Sequence, residues 1–306
     1  MKKELINKII LNSVNQKVKT IKQIIGEGIV NEVFIVETQN RKLLLRINSL
    51  YSFEEFKKEE YCIKKASENG INVPNIITIG KFEKYAYSIY DYIEGENAKY
   101  SKLNKLEIWN KLWKYAQIIN SIEVNGFGDR FSSKDKKFHG SFKRFVDYNI
   151  RSLSKKDELI KRKIYSIDQI ELIKNFFKEL KDKKWKIGLT HNDLSLKNLI
   201  INNQGIYIID CGSAEANMVP YFEFVEIMGC YLDLNVPKKK ELEAFLEGYG
   251  VDINEFELMK GEISKLILLV SFDKLRWAID KSPDKIKEYS ARTKKRLSYA
   301  LDLNQD

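Results

Sequence analysis

The sequence predicts an α+β fold in two lobes, a small antiparallel-sheet lobe over residues 1–93 and a larger, mostly helical lobe over 94–306. Three observations carry that expectation. Strand-like runs crowd into the region before Gly95, and helical periodicity dominates after it. Hydrophobic residues make up 43% of the 306, enough to fill large cores without disulfide or metal staples.

Leu5, Ile6, Ile9, Ile10 and Val14 recur at helical spacing, so an amphipathic helix is expected first. Residues 21–25, 33–38 and 43–47 read as strands of an antiparallel meander, with Gln39-Asn40-Arg41 turning between the last two. A helix over 53–69 is closed by Gly70, with Pro74 soon after. Residues 76–82 and 85–92 read as two more strands. Beyond Gly95, residues 106–122 form a helix with Trp109, Leu112, Trp113, Ala116 and Ile119 on one face. Helices over 142–150 and 167–180 follow, then short strands around a polar loop in 187–210, with a turn at 202–205. From Tyr221 onward nearly everything reads as helix.

The formal net charge is +10, but its densest runs are short. Lys238-Lys239-Lys240 is one, and the run from Lys134 to Lys137 is broken by Asp135. Interleaved charge of this kind predicts a solvated Lys-rich surface and no specific nucleic-acid partner. The three cysteines contain no CxxC pair, which excludes zinc ribbons and thioredoxin-like sites. Sparse cysteines, an interrupted N-terminal apolar stretch and no long apolar run lead to an expected cytoplasmic location without membrane attachment.

The most informative segment is Leu189-Thr190-His191-Asn192-Asp193-Leu194-Ser195-Leu196-Lys197-Asn198, followed by Ile208-Ile209-Asp210-Cys211-Gly212. A carboxylate and an amide stand five residues apart in a loop, and a second carboxylate ends an apolar strand. Asn198 and Asp210 supply oxygen donors of the kind Mg²⁺ prefers, leaving coordination positions for phosphate oxygens. Asp193 remains to accept a proton from a hydroxyl. Kinases arrange a catalytic Asp, a metal-binding Asn and a metal-binding Asp-x-Gly in this order.

The pattern resembles the aminoglycoside phosphotransferase and choline kinase superfamily, whose members have a protein-kinase-like bilobal fold. They carry His-x-Asp-x-x-x-x-Asn where most protein kinases carry His-Arg-Asp, and the choline kinase branch often begins with His-Asn-Asp, as here. The resemblance implies that the sheet lobe covers a nucleotide, with Gly26 and Gly28 in the phosphate-covering loop. It places Arg46 on the α- and β-phosphates where kinases have Lys, and pairs it with Glu59, which heads an apolar helical stripe. Glu60 faces elsewhere. Ser88-Ile89-Tyr90-Asp91-Tyr92-Ile93-Glu94-Gly95 resembles the hinge, where backbone groups near Asp91 and Ile93 read the purine.

The resemblance thus implies an enzyme that uses ATP or GTP with Mg²⁺ to phosphorylate a hydroxyl of a small molecule. An aminoglycoside or related antibiotic is the favoured acceptor, which would make the protein an antibiotic-resistance factor. Choline or ethanolamine comes next, and the oligomeric state is open. Two departures stand out. Arg46 replaces the usual Lys, and Pro220-Tyr221-Phe222-Glu223 offers Glu223 where the family has an Asp that braces the catalytic loop. They motivate a rival of another class, a nucleotide-binding pseudokinase acting as a binding module. A protein kinase is disfavoured by the absence of Ala-Pro-Glu and the short stretch between Gly212 and Tyr221. Tyr221, Phe222, Tyr231 and Trp277 could form a cation-binding surface with Glu215, Glu226 or Asp233.

Overall fold

A computed structural model describes residues 2–25 and 31–304. Two compact units result: Met1–Lys102 with Phe131–Lys137 and Ser195–Ala214, and Leu103–Arg130 with Phe138–Leu194 and Glu215–Asp306. The sequence reading put a single boundary near residue 93. The first unit also takes in the segment that carries Asn198 and Asp210.

In the first unit, helix α1 (Lys2–Val14) precedes strands β1 (Val18–Ile24), β2 (Glu32–Thr38) and β3 (Lys42–Ser49). Helix α2 (Phe53–Glu68) and strands β4 (Ile76–Phe82) and β5 (Tyr85–Asp91) follow. The sheet runs β1-β2-β3-β5-β4, with every neighbouring pair antiparallel. Alternation along the strands sorts the side chains by face. Leu43, Leu45 and Ile47 join Phe34, Val36 and Ile89 in a core that Ile6, Ile9 and Ile10 of α1 complete. Arg46 falls on the opposite face, paired in register with Ser88. A second, three-stranded sheet has the order β11 (Gly205–Ile208), β10 (Leu199–Asn202), β6 (Glu96–Asn97). Two short strands, β7 (Phe131–Ser132) and β8 (Lys137–Phe138), lie between the main elements in sequence.

The second unit holds helices α3 (Lys105–Ser121), α4 (Phe142–Ser152), α5 (Glu158–Lys161) and α6 (Ile170–Asp182). It continues with α7 (Tyr221–Leu234), α8 (Lys239–Tyr249), α9 (Ile253–Lys281) and α10 (Ile286–Leu303), and with the pair β9 (Ile187–Thr190) and β12 (Glu215–Met218). The face expected on α3 is the buried one: Trp109, Leu112, Trp113, Ala116 and Ile119 all lie in the core. Helix α9 buries Ile263, Leu266, Ile267, Leu268, Leu269, Phe272 and Leu275, as a helix apolar on most sides must.

One buried ionic cluster ties this unit together. Arg276 on α9 donates to Asp157 Oδ2 and to Asn149 Oδ1, each at 2.7 Å. Tyr165 donates its hydroxyl to the same Asp157 oxygen at 2.8 Å, and Asp157 Oδ1 caps α5 by accepting from Leu159 N at 3.0 Å. Removing one partner strands the other charge in the core. Arg276→Met is therefore expected to cost about 3–5 kcal/mol and to lower the melting temperature by roughly 10 °C. Adding Asp157→Asn to Arg276→Met should recover part of that loss, which a thermal melt of the single and double variants checks.

Candidate functional site

The hairpin β10–β11 sets the metal-type donors. Its register pairs Leu199 with Ile208. The residues just outside it, Asn198 and Ile209, are joined by Ile209 N–H donating to Asn198 O at 2.9 Å. Asn198 is buried, and its backbone N–H donates to Ser195 O at 3.0 Å. Asn97 grips the preceding residue by donating its side-chain amide to Lys197 O at 2.6 Å. Asp210 follows in the left-handed region at φ 60°, a conformation that Asp tolerates better than most residues. Its side chain is 54% exposed, so the carboxylate is open to a ligand.

Arg46 makes the closest protein contacts in this cluster. It donates through one nitrogen to both oxygens of Glu59, at 2.6 and 2.7 Å, and through the other to Asp210 Oδ1 at 3.5 Å. Burial works against the Arg46 charge, but Glu59, Tyr90 and Asp210 outweigh it and hold the guanidinium above its ordinary pKa. Burial also pushes the Glu59 carboxyl up, while Arg46 pulls it back down. Glu60 turns away and pairs with Lys57 at 2.9 Å.

At the edge of the sheet, the N–H groups of Asp91 and Tyr92 are used internally, donating to Asn75 O and Lys42 O. The Asp91 carboxylate accepts from Asn75 Nδ2 at 2.7 Å. Ile93 makes no backbone hydrogen bond among the described residues. Gly95 is fixed by close approach: a Cβ there would sit 2.6 Å from Ile201 O. Gly26 and Gly28 lie outside the described residues.

Asp193 belongs to the second unit. The chain leaves β9 into His191, passes through Asn192 at φ 60°, and reaches Asp193, whose N–H donates to His191 Nδ1 at 3.3 Å. That bond makes His191 Nδ1 an acceptor and leaves Nε2 as the ring's donor nitrogen. Glu223 on α7 reaches the loop from behind. Its Oε1 accepts from His191 N at 3.0 Å and from Asn120 Nδ2 at 3.2 Å. Burial pushes its carboxyl up to about 7, against the pull of those two donors. The longer side chain thus makes a bond to the loop of the kind expected from the family's shorter Asp.

Of the aromatic candidates, Tyr221 and Trp277 have described surroundings. Tyr221 packs edge-on against Trp185 with ring centroids 4.9 Å apart, and the Lys183 ammonium lies 5.0 Å from both rings. Asp233 is committed to Arg296 at 2.8 Å and Arg292 at 3.4 Å. Trp277 is half-exposed on α9. Sequence reading missed Asn120 and Tyr249, which both lie inside an otherwise apolar helical stripe that gives no local signal of a polar role.

Comparison with known proteins gives five findings. The model of the phosphotransferase enzyme family (APH) matches residues 22–255. The structure of a thermostable mutant of the aminoglycoside phosphotransferase APH(4)-Ia superposes with a TM-score of 0.70 at 16% identity, covering 98% of this chain and 100% of that one. Spectinomycin phosphotransferase APH(9)-Ia, solved with ADP and spectinomycin, gives 0.64 at 16% identity, covering 99% and 98%. A Haemophilus somnus 129PT protein assigned as a fructosamine-3-kinase gives 0.64 at 15%, covering 97% and 96%. Among curated sequences, a Staphylococcus aureus protein described as an uncharacterized protein in the ileS 3′ region is 28% identical over 126 residues, spanning 40% of this chain and 92% of that protein. The structural likenesses confirm the protein-kinase-like fold expected from the sequence.

Proposed function

The chain belongs to the phosphotransferase enzyme family, and from that premise we propose that it moves the γ-phosphoryl of ATP to a hydroxyl of an aminoglycoside or related antibiotic. It is a small-molecule phosphotransferase acting on hydroxyl groups. The observation that supports phosphoryl transfer is the set Arg46–Glu59–Asp210 beside the Asn198 hairpin, joined in sequence to the Asp193 loop; the aminoglycoside acceptor is supported by the named relatives alone. Relatives of the same fold are named for aminoglycosides, and one holds ADP with spectinomycin.

Asp193 is assigned the role of orienting the acceptor hydroxyl and taking its proton as the O–P bond forms. Arg46, with its fork held by Glu59, pairs with the non-transferring phosphates. Ile93, whose backbone N–H has no backbone partner among the described residues, is assigned to the purine edge, and this contact leaves ATP and GTP both acceptable. Asn198 and Asp210 would hold Mg²⁺. Among the described residues no three His, Cys, Asp or Glu converge into a cage. One open carboxylate plus one amide suits an ion that keeps several waters and completes its shell with phosphate oxygens. When bound, the ion neutralises charge building on the transferring phosphoryl group.

Glu59→Gln is expected to raise the KM for ATP about tenfold with a smaller effect on kcat, because Arg46 then loses the charge that orients it. Steady-state kinetics in ATP checks this. For the acceptor, calorimetry with AMP-PNP present should show binding of hygromycin B or spectinomycin and none of choline. Binding of choline alone would transfer the assignment to choline or ethanolamine phosphorylation.

A further inference from the structure

Behind the Asp193 loop four elements meet through a chain of buried polar groups. The Tyr249 hydroxyl, at the end of α8, donates to Asn120 Oδ1 on α3 at 2.8 Å. The Asn120 amide nitrogen then donates twice, to Leu189 O of β9 at 2.9 Å and to Glu223 Oε1 at 3.2 Å. The same Glu223 oxygen takes the His191 N–H at 3.0 Å. These partners fix the amide orientation, since only the oxygen can accept from Tyr249 and only the nitrogen can serve two acceptors. Asn120 is 3% exposed and Glu223 2%, so no bulk water substitutes for a lost link.

We propose that Tyr249 and Asn120 are positioning residues for phosphoryl transfer, acting through Glu223 on the backbone of the loop that carries Asp193. The inference rests on the reading of Asp193 as the catalytic carboxylate. Its physical basis is the fixed path from α8 to His191 N–H, two residues before Asp193. An ionised Glu223 is the stronger acceptor for that N–H. The groups facing Glu223 are Asn120 from α3, Tyr249 from α8, the His191 amide from the loop, Glu226 farther along α7 and Glu215 from β12. The two neighbouring carboxylates and the burial oppose its ionisation.

The sign of the pH effect follows. A carboxyl raised from about 4.5 unfolded to about 7 folded contributes stability that is complete below the unfolded value and lost as pH rises through 7. Above pH 7 the charge is held at the expense of stability. Glu223→Gln removes that charge while keeping an oxygen for the His191 N–H. It should melt no lower than the parent at pH 8, yet turn over roughly ten- to a hundredfold more slowly. Tyr249→Phe keeps the ring against Phe224, whose centroid is 5.4 Å away, and removes only the hydroxyl link.

The test combines amide hydrogen exchange of the full chain with phosphate release from Mg²⁺-ATP, water serving as acceptor. Tyr249→Phe is expected to speed exchange at the His191 amide and slow turnover, each about fivefold, with the KM for ATP unchanged. The parent should show an acid limb in kcat near pH 7 that Glu223→Gln lacks. His191 exchange and kcat within twofold of the parent in both variants overturn the proposal. So does a loss of turnover that only tracks a fall in melting temperature. Asp193→Asn serves as the control: unchanged phosphate release there refutes the catalytic reading, while the exchange data still report on the relay.

Discussion

Asp193→Asn is expected to lower transfer to the acceptor about a thousandfold while leaving the KM for ATP within about threefold of the parent. The asparagine has nearly the same size and can still accept one hydrogen bond, so the loop's shape is retained. It has no useful basicity, so the acceptor hydroxyl keeps its proton until late in the reaction. The backbone bonds that set this loop, His191 N–H to Glu223 and Asp193 N–H to His191 Nδ1, do not involve the Asp193 carboxylate. A loss confined to kcat therefore reports chemistry. Equal turnover by parent and variant would remove Asp193 from the mechanism.

Asp210→Ala has the second large expected effect, in binding. Asp210 supplies the only carboxylate proposed for Mg²⁺, and it stands half-exposed at the end of the β10–β11 hairpin. Its removal should weaken Mg²⁺-dependent ATP binding by about a hundredfold or more. The Arg46–Glu59 pair, with both contacts under 3 Å, should survive the change and keep weak, metal-independent nucleotide affinity. Fluorescent-nucleotide titration with and without Mg²⁺ distinguishes the two components. A parent and variant that show the same Mg²⁺ dependence would displace Asp210 from the metal site.

The readable parts of the chain were those where one physical rule acts locally. The buried face of α3 follows from helical period alone, and β2, β3, β4 and β5 follow from alternation between turn signals. The proposed site residues stand out because phosphoryl transfer constrains residue type and spacing together, as in Asp193 and Asn198. Other features depend on distant pairing. No local pattern marks Arg276 as buried, because its partner Asp157 lies 119 positions away. Tyr249 and Asn120 are separated by 129 positions. Strand β12, Glu215–Met218, has no β-branched residue and forms because β9 offers a free edge. Two members of the expected cation surface also have distant partners, Tyr221 in Lys183 and Asp233 in Arg292 and Arg296.

The most direct test of the account is transfer itself. The purified protein would be mixed with Mg²⁺ and γ-labelled ATP against aminoglycosides, macrolides, choline, ethanolamine and sugars, and the label followed by chromatography. The account predicts label on a hydroxyl of one small-molecule class, antibiotics foremost, and none with Asp193→Asn. Tight Mg²⁺-dependent ATP binding without label on any acceptor would contradict it and leave the protein a nucleotide-binding module.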